Sequence, residues 1–123
     1  MRDDQIERHL KTTETIVRSP LVHEFLIGLS SWSATRKASS YYRMGFEHFV
    51  TIAAPLTPRN ALKLERYLFK RCTQGDRRSP LYQKYHHEKR DGPYRASLGG
   101  QSHTVKTPML VYMVWRNKCK GAK

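Results

Sequence analysis

The segment PMLVYMVWR, residues 108–116, has no charged residue before its final arginine. A strand with one face in water alternates apolar and polar residues, and this segment does not. It is therefore predicted to be a strand buried on both faces, in the middle of a sheet. The segments 21–29 and 46–53, which are also rich in apolar residues, predict two further strands, and Pro55 is expected to close the second of them.

Three helices are predicted before and between these strands. Residues 3–17 carry acidic residues in the first turn and apolar residues at helical spacing. Residues 33–43 are predicted to form a short basic helix. The pair Thr57-Pro58 starts a third helix, 58–72, because a hydroxyl at the N-cap and a proline at the first helical position are both favourable there.

The predicted order is helix, strand, helix, strand, helix, irregular segment and strand. This order indicates an α+β fold with a central three-stranded sheet, in a single domain covering residues 1–123. The irregular segment, 74–108, holds four of the seven glycines and three of the six prolines. We expect a basic loop there, with room for one helix near 79–87.

The balance of charges restricts the class of partner. The chain carries 23 lysine and arginine residues against 10 acidic ones, a formal net charge of +13 at pH 7, and it has seven tyrosines. This composition is typical of a nucleic-acid-binding protein, whose affinity depends strongly on the release of counterions. On charge alone, a solvated basic surface without a partner, or one that meets an acidic protein, stays open.

Other features bear on location. No apolar run reaches the length of a membrane span and the N-terminus is polar, so we expect neither a membrane segment nor a secretory signal. Cys72 and Cys119 are too few for a disulfide framework or a zinc quartet, and reduced thiols are expected. These features predict a cytoplasmic protein.

The helix at 58–72 carries one carboxylate on its apolar face. At 100° per residue from Ala61, the side chains of Leu68 and Cys72 mark an apolar arc, and Glu65 lies inside it at about 40°. A buried carboxylate must be paired, protonated or bound to a cation. From the residues alone, a Glu–Arg pair or a water-filled edge and a divalent metal such as Mg²⁺ both stay open.

The order of these residues resembles the GIY-YIG nuclease family. In that family a Tyr-Ile-Gly strand is followed on the next helix by a catalytic arginine, and a glutamate on a later helix binds the single metal ion. Here Leu26-Ile27-Gly28 stands at the Tyr-Ile-Gly position, and Arg36 lies ten residues beyond Leu26. Glu65 lies in a helix of the form Ala-Leu-x-Leu-Glu. The resemblance covers residues 20–75.

Two features depart from the family's pattern. The tyrosine of Tyr-Ile-Gly is Leu26 here, and no Gly-Ile-Tyr motif precedes it. Tyr112 is the one tyrosine on a predicted strand. We expect the C-terminal strand to take the place of the missing first motif in a rearranged topology, with Tyr112 pointing into the site.

The resemblance implies a metal-dependent endonuclease that hydrolyses phosphodiester bonds, in DNA rather than RNA. Mg²⁺ or Mn²⁺ bound to Glu65 would polarise the phosphate, and Arg36 would offset the charge of the transition state. A tyrosine or a histidine would take a proton from water. The candidates for this role are Tyr41, Tyr42, His48 and Tyr112. Because neighbours on a helix diverge by about 100°, only one of the two adjacent tyrosines is expected to face the sheet.

Contacts with the nucleic-acid backbone are expected from bases outside this site. These bases are Lys37, Arg43, Arg77, Arg78, Lys84, Lys89, Arg90 and Arg95. An alternative function is a catalytically impaired DNA- or RNA-binding module on the same scaffold, for which Leu26 is the direct reason. A basic ribosome- or repressor-like protein with Glu65 in a structural ion pair is a third class. A protein partner or a homodimer also stays open.

Overall fold

The computed structural model describes residues 1–30, 34–86, 90–92, 94 and 108–117, and of residues 34–37 it describes the backbone. The chain is an α+β protein, as its sequence predicts. Its helices and strands follow the predicted order, with one short helix added in the irregular segment. They are α1 (Asp3–Val17), β1 (Val22–Ser30), α2 (Ala34–Tyr42), β2 (His48–Leu56), α3 (Pro58–Thr73), α4 (Pro80–Lys84) and β3 (Met109–Asn117).

The three strands form an antiparallel sheet in the order β1-β3-β2. The C-terminal strand β3 is therefore central, as its apolar sequence predicts. The four consecutive residues from Val111 to Val114 are all fully buried, so both faces of β3 lie within the core. Removing this much apolar surface from water is the main stabilising contribution to the sheet.

Strand β2 differs from its predicted bounds. It begins at His48 and runs through Pro55 to Leu56, so the expectation that Pro55 closes the strand is wrong. The reason is the position of β2 at the edge of the sheet, where a residue without an N–H removes no hydrogen bond from a neighbouring strand. The pairing with β3 is irregular on both sides of Ala53.

The helical spacing of apolar residues in the sequence predicts the buried faces of α1 and α3 correctly. In α1, the four buried side chains are Ile6, Leu10, Thr13 and Val17. Helix α3 starts as predicted, because the Thr57 side chain accepts a hydrogen bond of 3.2 Å from the Asn60 N–H. Both helices pack against the sheet, which places the inner face of α3 next to β1 and β3.

The irregular segment contributes two described features. Helix α4 is shorter than the predicted range of 79–87. Its N-cap is Ser79, whose side chain accepts a hydrogen bond from the Tyr82 N–H. Directly after α4, Tyr85 forms a parallel bridge with Phe25, which extends the outer edge of β1. Of the helices in the described part of the chain, none has the length and hydropathy needed to cross a membrane.

Candidate active site

Glu65 lies on the inner face of α3 and is only 2% exposed. The phenol of Tyr94 donates a hydrogen bond of 2.6 Å to its Oε1 atom. A buried carboxylate needs such a donor, because burial without one costs several kcal/mol, roughly 2–7 for a polar group. Sequence periodicity predicts the inward position of Glu65, and the structure confirms it.

A second hydrogen bond joins a phenol of helix α2 to a phenol of the sheet. Tyr41, on α2, and Tyr112, at the centre of β3, have their hydroxyl oxygens 2.8 Å apart. Tyr112 is fully buried, and its ring stacks on Phe49 with the two centroids 5.0 Å apart. Tyr42 points away and is 71% exposed. The prediction that only one of the two adjacent tyrosines faces the sheet is therefore confirmed.

A fourth phenol lies beside the Leu26-Ile27-Gly28 segment. Tyr85 is buried, and its hydroxyl lies 3.4 Å from the Ile27 backbone N–H, from which it accepts a hydrogen bond. Its ring packs edge-on against Phe25 and Phe69. Tyr85 therefore places a hydroxyl beside the Leu26-Ile27-Gly28 segment, at the Ile27 N–H.

We call Tyr41, Tyr85, Tyr94 and Tyr112 the phenol cluster. The pKa of each of these tyrosines is raised above its ordinary value, and burial is the largest cause in all four. The negative charge of Glu65 acts in the same direction on every one of them. One carboxylate thus lies within electrostatic range of four phenols, which remain protonated at neutral pH, and of these Tyr94 donates its hydrogen bond to Glu65.

The sequence pattern does not predict Tyr85 and Tyr94 as residues of the candidate site. Both lie in the irregular segment, which has no periodicity from which the direction of a side chain could be predicted. The composition of the segment gives a weaker indication than periodicity would. Both are aromatic residues among many bases in a glycine- and proline-rich segment, and aromatic residues in such a segment often pack back onto the core.

His48 lies on the opposite face of the sheet from Tyr112. It is paired with Trp115 across the strands, stacks on that ring at 5.0 Å, and shares a hydrogen bond of 3.0 Å with Asn117. Trp115 and Tyr112 are three residues apart on β3, so their side chains point to opposite faces. The structure therefore does not place His48 with Glu65, and His48 is set aside as a candidate base.

Several predicted residues lie beyond what the structure describes. The backbone of α2 includes Arg36 and Lys37, but the positions of their side chains lie outside the described part of the chain. Lys89 and Arg95 fall outside the described residues altogether. The roles assigned to these four residues stay predictions.

The remaining predicted nucleic-acid contacts divide into two groups. Arg43, Arg77 and Arg78 are exposed, as a backbone contact requires. Lys84 differs, because its ammonium donates hydrogen bonds of 2.7 and 2.9 Å to the carbonyl oxygens of Val17 and Ser19, at the C-terminal end of α1. A lysine in this position stabilises the helix end, so we remove Lys84 from the predicted contacts.

Arg90 is also engaged within the protein. Its guanidinium lies over the Tyr82 ring, 4.5 Å from the centroid, and 3.5 Å from the Asp91 carboxylate. The Tyr82 hydroxyl completes this cluster with a hydrogen bond of 2.5 Å to Asp91. A cation held by a ring and a carboxylate has less charge to offer an external phosphate, and we remove Arg90 from the predicted contacts as well.

A metal at this site would depend on Glu65. Within the described ranges, no group of three or more His, Cys, Asp or Glu side chains could hold a metal ion. Glu24, a carboxylate on β1, lies 2.8 Å from His86 and 2.9 Å from Arg116, so it serves a structural ion cluster. The Glu65 carboxylate is oriented by the neutral hydroxyl group of Tyr94.

Comparison with known proteins gives no relative. No family model matches the chain, and no significant match was found among curated proteins or solved structures. A functional assignment therefore depends on the chemistry of Glu65 and the phenol cluster.

Proposed function

We propose that this protein is a metal-dependent endonuclease of the GIY-YIG type that hydrolyses phosphodiester bonds of DNA. The observation that carries the proposal is the Glu65 carboxylate, buried in a chain of net charge +13 and held by the Tyr94 hydroxyl at 2.6 Å. A basic protein attracts a polyanionic substrate, and an oriented carboxylate provides the ligand for a divalent cation.

The position of β3 supports the rearranged topology. This strand lies between β1 and β2, and Tyr112 is directly opposite Gly28, the glycine at the end of the Leu26-Ile27-Gly28 segment. The proposed order therefore puts a tyrosine of the C-terminal strand beside the segment that resembles Tyr-Ile-Gly. Tyr85 adds a second phenol at this place, 3.4 Å from the Ile27 N–H.

The residues fit a hard divalent cation. Mg²⁺ prefers oxygen ligands and is often held by only one or two protein carboxylates, with waters and substrate phosphate oxygens as its other ligands. Glu65 would hold the ion, and the Tyr94 hydroxyl orients its carboxylate through the hydrogen bond to Oε1. Bound Mg²⁺ or Mn²⁺ would supply positive charge at the scissile phosphate.

Tyr41, Tyr112 and Arg36 have different proposed roles in the reaction. Because burial raises the pKa of Tyr41 and Tyr112, these residues are poor bases at neutral pH. One of the two hydroxyls donates to the other, and the proposed role of the pair is to orient the attacking water or a phosphate oxygen through the second O–H. Arg36, on the same helix as Tyr41, is proposed to offset the negative charge of the transition state.

A catalytically impaired DNA- or RNA-binding module is the second candidate. Leu26 at the usual tyrosine position favours it, as do the raised pKa values of Tyr41 and Tyr112. Such a module would retain the basic surface and the fold, and it would bind nucleic acid without cutting it.

The two candidates are separated by incubating the full chain with plasmid DNA, single-stranded DNA and RNA in Mg²⁺, Mn²⁺ or EDTA. The nuclease proposal predicts cutting of DNA that requires the metal and disappears in Glu65→Gln and in Arg36→Ala. Glu14→Gln is the matched control, because Glu14 is a carboxylate on α1 whose partner is Arg18. Salt-sensitive binding without cutting supports the second candidate, and equal cutting by wild type and Glu65→Gln contradicts the first.

A further inference from the structure

The outward face of α3 carries four exposed bases in a row, which we call the basic face of α3. They are Arg59, Lys63, Arg66 and Lys70. Their spacing of four, three and four residues keeps them on one side of a helix, opposite the buried arc that contains Glu65. At about 1.5 Å per residue the row is about 16 Å long. It borders a shallow groove lined by the half-buried side chains of Leu62 and Tyr67.

These four bases are not used for pairing within the described part of the chain. None of them forms an ion pair there, whereas Arg71, on the same helix, lies 3.5 Å from Glu7. Like charges three or four residues apart destabilise a helix by about 0.2–0.5 kcal/mol per pair. The row therefore weakens α3 in isolation, and a bound polyanion would remove this repulsion.

The basic face and the Glu65 carboxylate lie on opposite sides of the same helix. Arg66 follows Glu65 directly in the sequence, and its positive charge opposes the rise in the pKa of Tyr94. The row is therefore separate from the residues of the candidate active site.

We propose that the basic face of α3 binds the phosphate backbone of duplex DNA. The inference deepens the proposed nuclease function and rests on it for the class of substrate. A rigid row of four bases over about 16 Å can neutralise up to four phosphates, which a duplex presents at a high and regular density. Single-stranded sites rely on free aromatic rings for stacking, and Tyr67, the aromatic residue of this groove, has the Arg71 guanidinium over its ring, 5.7 Å from the centroid.

The test is the salt dependence of DNA binding by the full chain in EDTA, where metal-dependent cutting does not occur. Fluorescence anisotropy of a labelled duplex of about 20 base pairs is measured from about 50 to 200 mM salt. The variant is Lys63→Gln with Lys70→Gln. The control is Arg8→Gln with Lys11→Gln, which removes the same charge from exposed positions on α1.

Each lost phosphate contact lowers the slope of log K against log salt by about 0.9, which is about eightfold in affinity at 0.1 M salt. We therefore expect the α3 variant to bind the duplex about 60-fold more weakly, with a slope lower by about 1.8, and the control to change far less. Equal losses in both variants overturn the proposal, because net charge alone would then account for binding. Tighter binding of single strands, or no duplex binding at low salt, also overturns it.

Because no metal and no cleavage enter this measurement, its outcome is independent of the nuclease test. Binding through the basic face without metal-dependent cutting would leave this inference standing and reject the nuclease proposal. Metal-dependent cutting with unchanged duplex affinity in the α3 variant would support the nuclease proposal and reject this inference.

Discussion

The hydroxyl oxygens of Tyr41 and Tyr112 lie 2.8 Å apart, and this hydrogen bond joins α2 to the central strand β3. Residue 36, the position of the predicted catalytic arginine, lies on that same helix. The bond therefore links the helix that carries Arg36 to the strand that packs beside Glu65's helix, and it couples the two sides of the candidate site.

The first prediction concerns the strength of this link. Tyr41→Phe and Tyr112→Phe each remove one hydroxyl and with it the hydrogen bond between them, which should lower the free energy of unfolding by about 0.5–1.5 kcal/mol. In the double variant the two effects should be non-additive by about 0.5–1.5 kcal/mol, as measured by urea unfolding. Tyr42→Phe, at an exposed position, is the control. Additive losses would show that the two hydroxyls do not act on each other.

The second prediction concerns the support of the Glu65 carboxylate. Tyr94→Phe removes its hydrogen-bond donor while keeping the ring, which packs against Phe69 with centroids 5.5 Å apart. Loss of a hydrogen-bond donor to a metal-binding side chain typically lowers the metal affinity about 10- to 100-fold. Calorimetric titration with Mn²⁺ should show this loss in Tyr94→Phe and no change in Tyr42→Phe. Equal affinity in wild type and Tyr94→Phe would contradict a role for Tyr94 in holding the ligand.

The third prediction follows from the raised pKa values of the buried phenols. A group with a higher pKa in the folded state keeps its proton after the unfolded chain has lost it. The unfolding free energy is therefore maintained below about pH 10, the ordinary tyrosine value, and falls as the pH rises above it. Each such group contributes up to about 1.4 kcal/mol per pH unit.

Variants separate the phenols from the other groups that titrate at high pH. Denaturant unfolding of Tyr112→Phe between about pH 9 and 11 should give a shallower decline than wild type. Tyr42→Phe should decline as wild type does, since this residue is exposed. A slope unchanged by Tyr112→Phe would mean that its hydroxyl ionises equally easily in both states.

The fourth prediction concerns Cys72, a residue of α3 whose side chain is fully buried in the core. Burial raises the pKa of its thiol to about 12, so almost none of it is the reactive thiolate at neutral pH. In a Cys119→Ser variant, thiol labelling should be slow in the native protein and should become rapid at the denaturant concentration that unfolds the chain. Rapid labelling under native conditions would contradict the packing of α3 on the sheet.

The parts of the fold that the sequence predicts are those with strong periodicity. The apolar spacing of α3 is enough to place Glu65 inside, since each residue turns the helix by about 100°. The unbroken apolar character of β3 predicts its central position in the same way. The divergence of Tyr41 and Tyr42 also follows from helical geometry alone.

The rest depends on tertiary contacts that leave no periodic signal. Tyr85 and Tyr94 lie in the irregular segment, and Tyr94 contacts Glu65 of α3. The Lys84 ammonium donates a hydrogen bond to the Val17 carbonyl at the end of α1, a contact between residues far apart in sequence. The face on which His48 lies follows from its register with Trp115, which the sequence does not specify. Pro55 is accommodated because β2 is an edge strand. The sequence does not specify the order of the strands in the sheet.

The central claim is that the Glu65 carboxylate binds a divalent metal within the phenol cluster. The most direct measurement is the broadening of tyrosine ring NMR signals on addition of paramagnetic Mn²⁺ to wild type and to Glu65→Gln. We predict that in wild type the signals of Tyr94 and Tyr112 broaden before that of Tyr42, and that in Glu65→Gln this selectivity disappears. Equal broadening of all three in wild type, or the same selective broadening in Glu65→Gln, would contradict the claim.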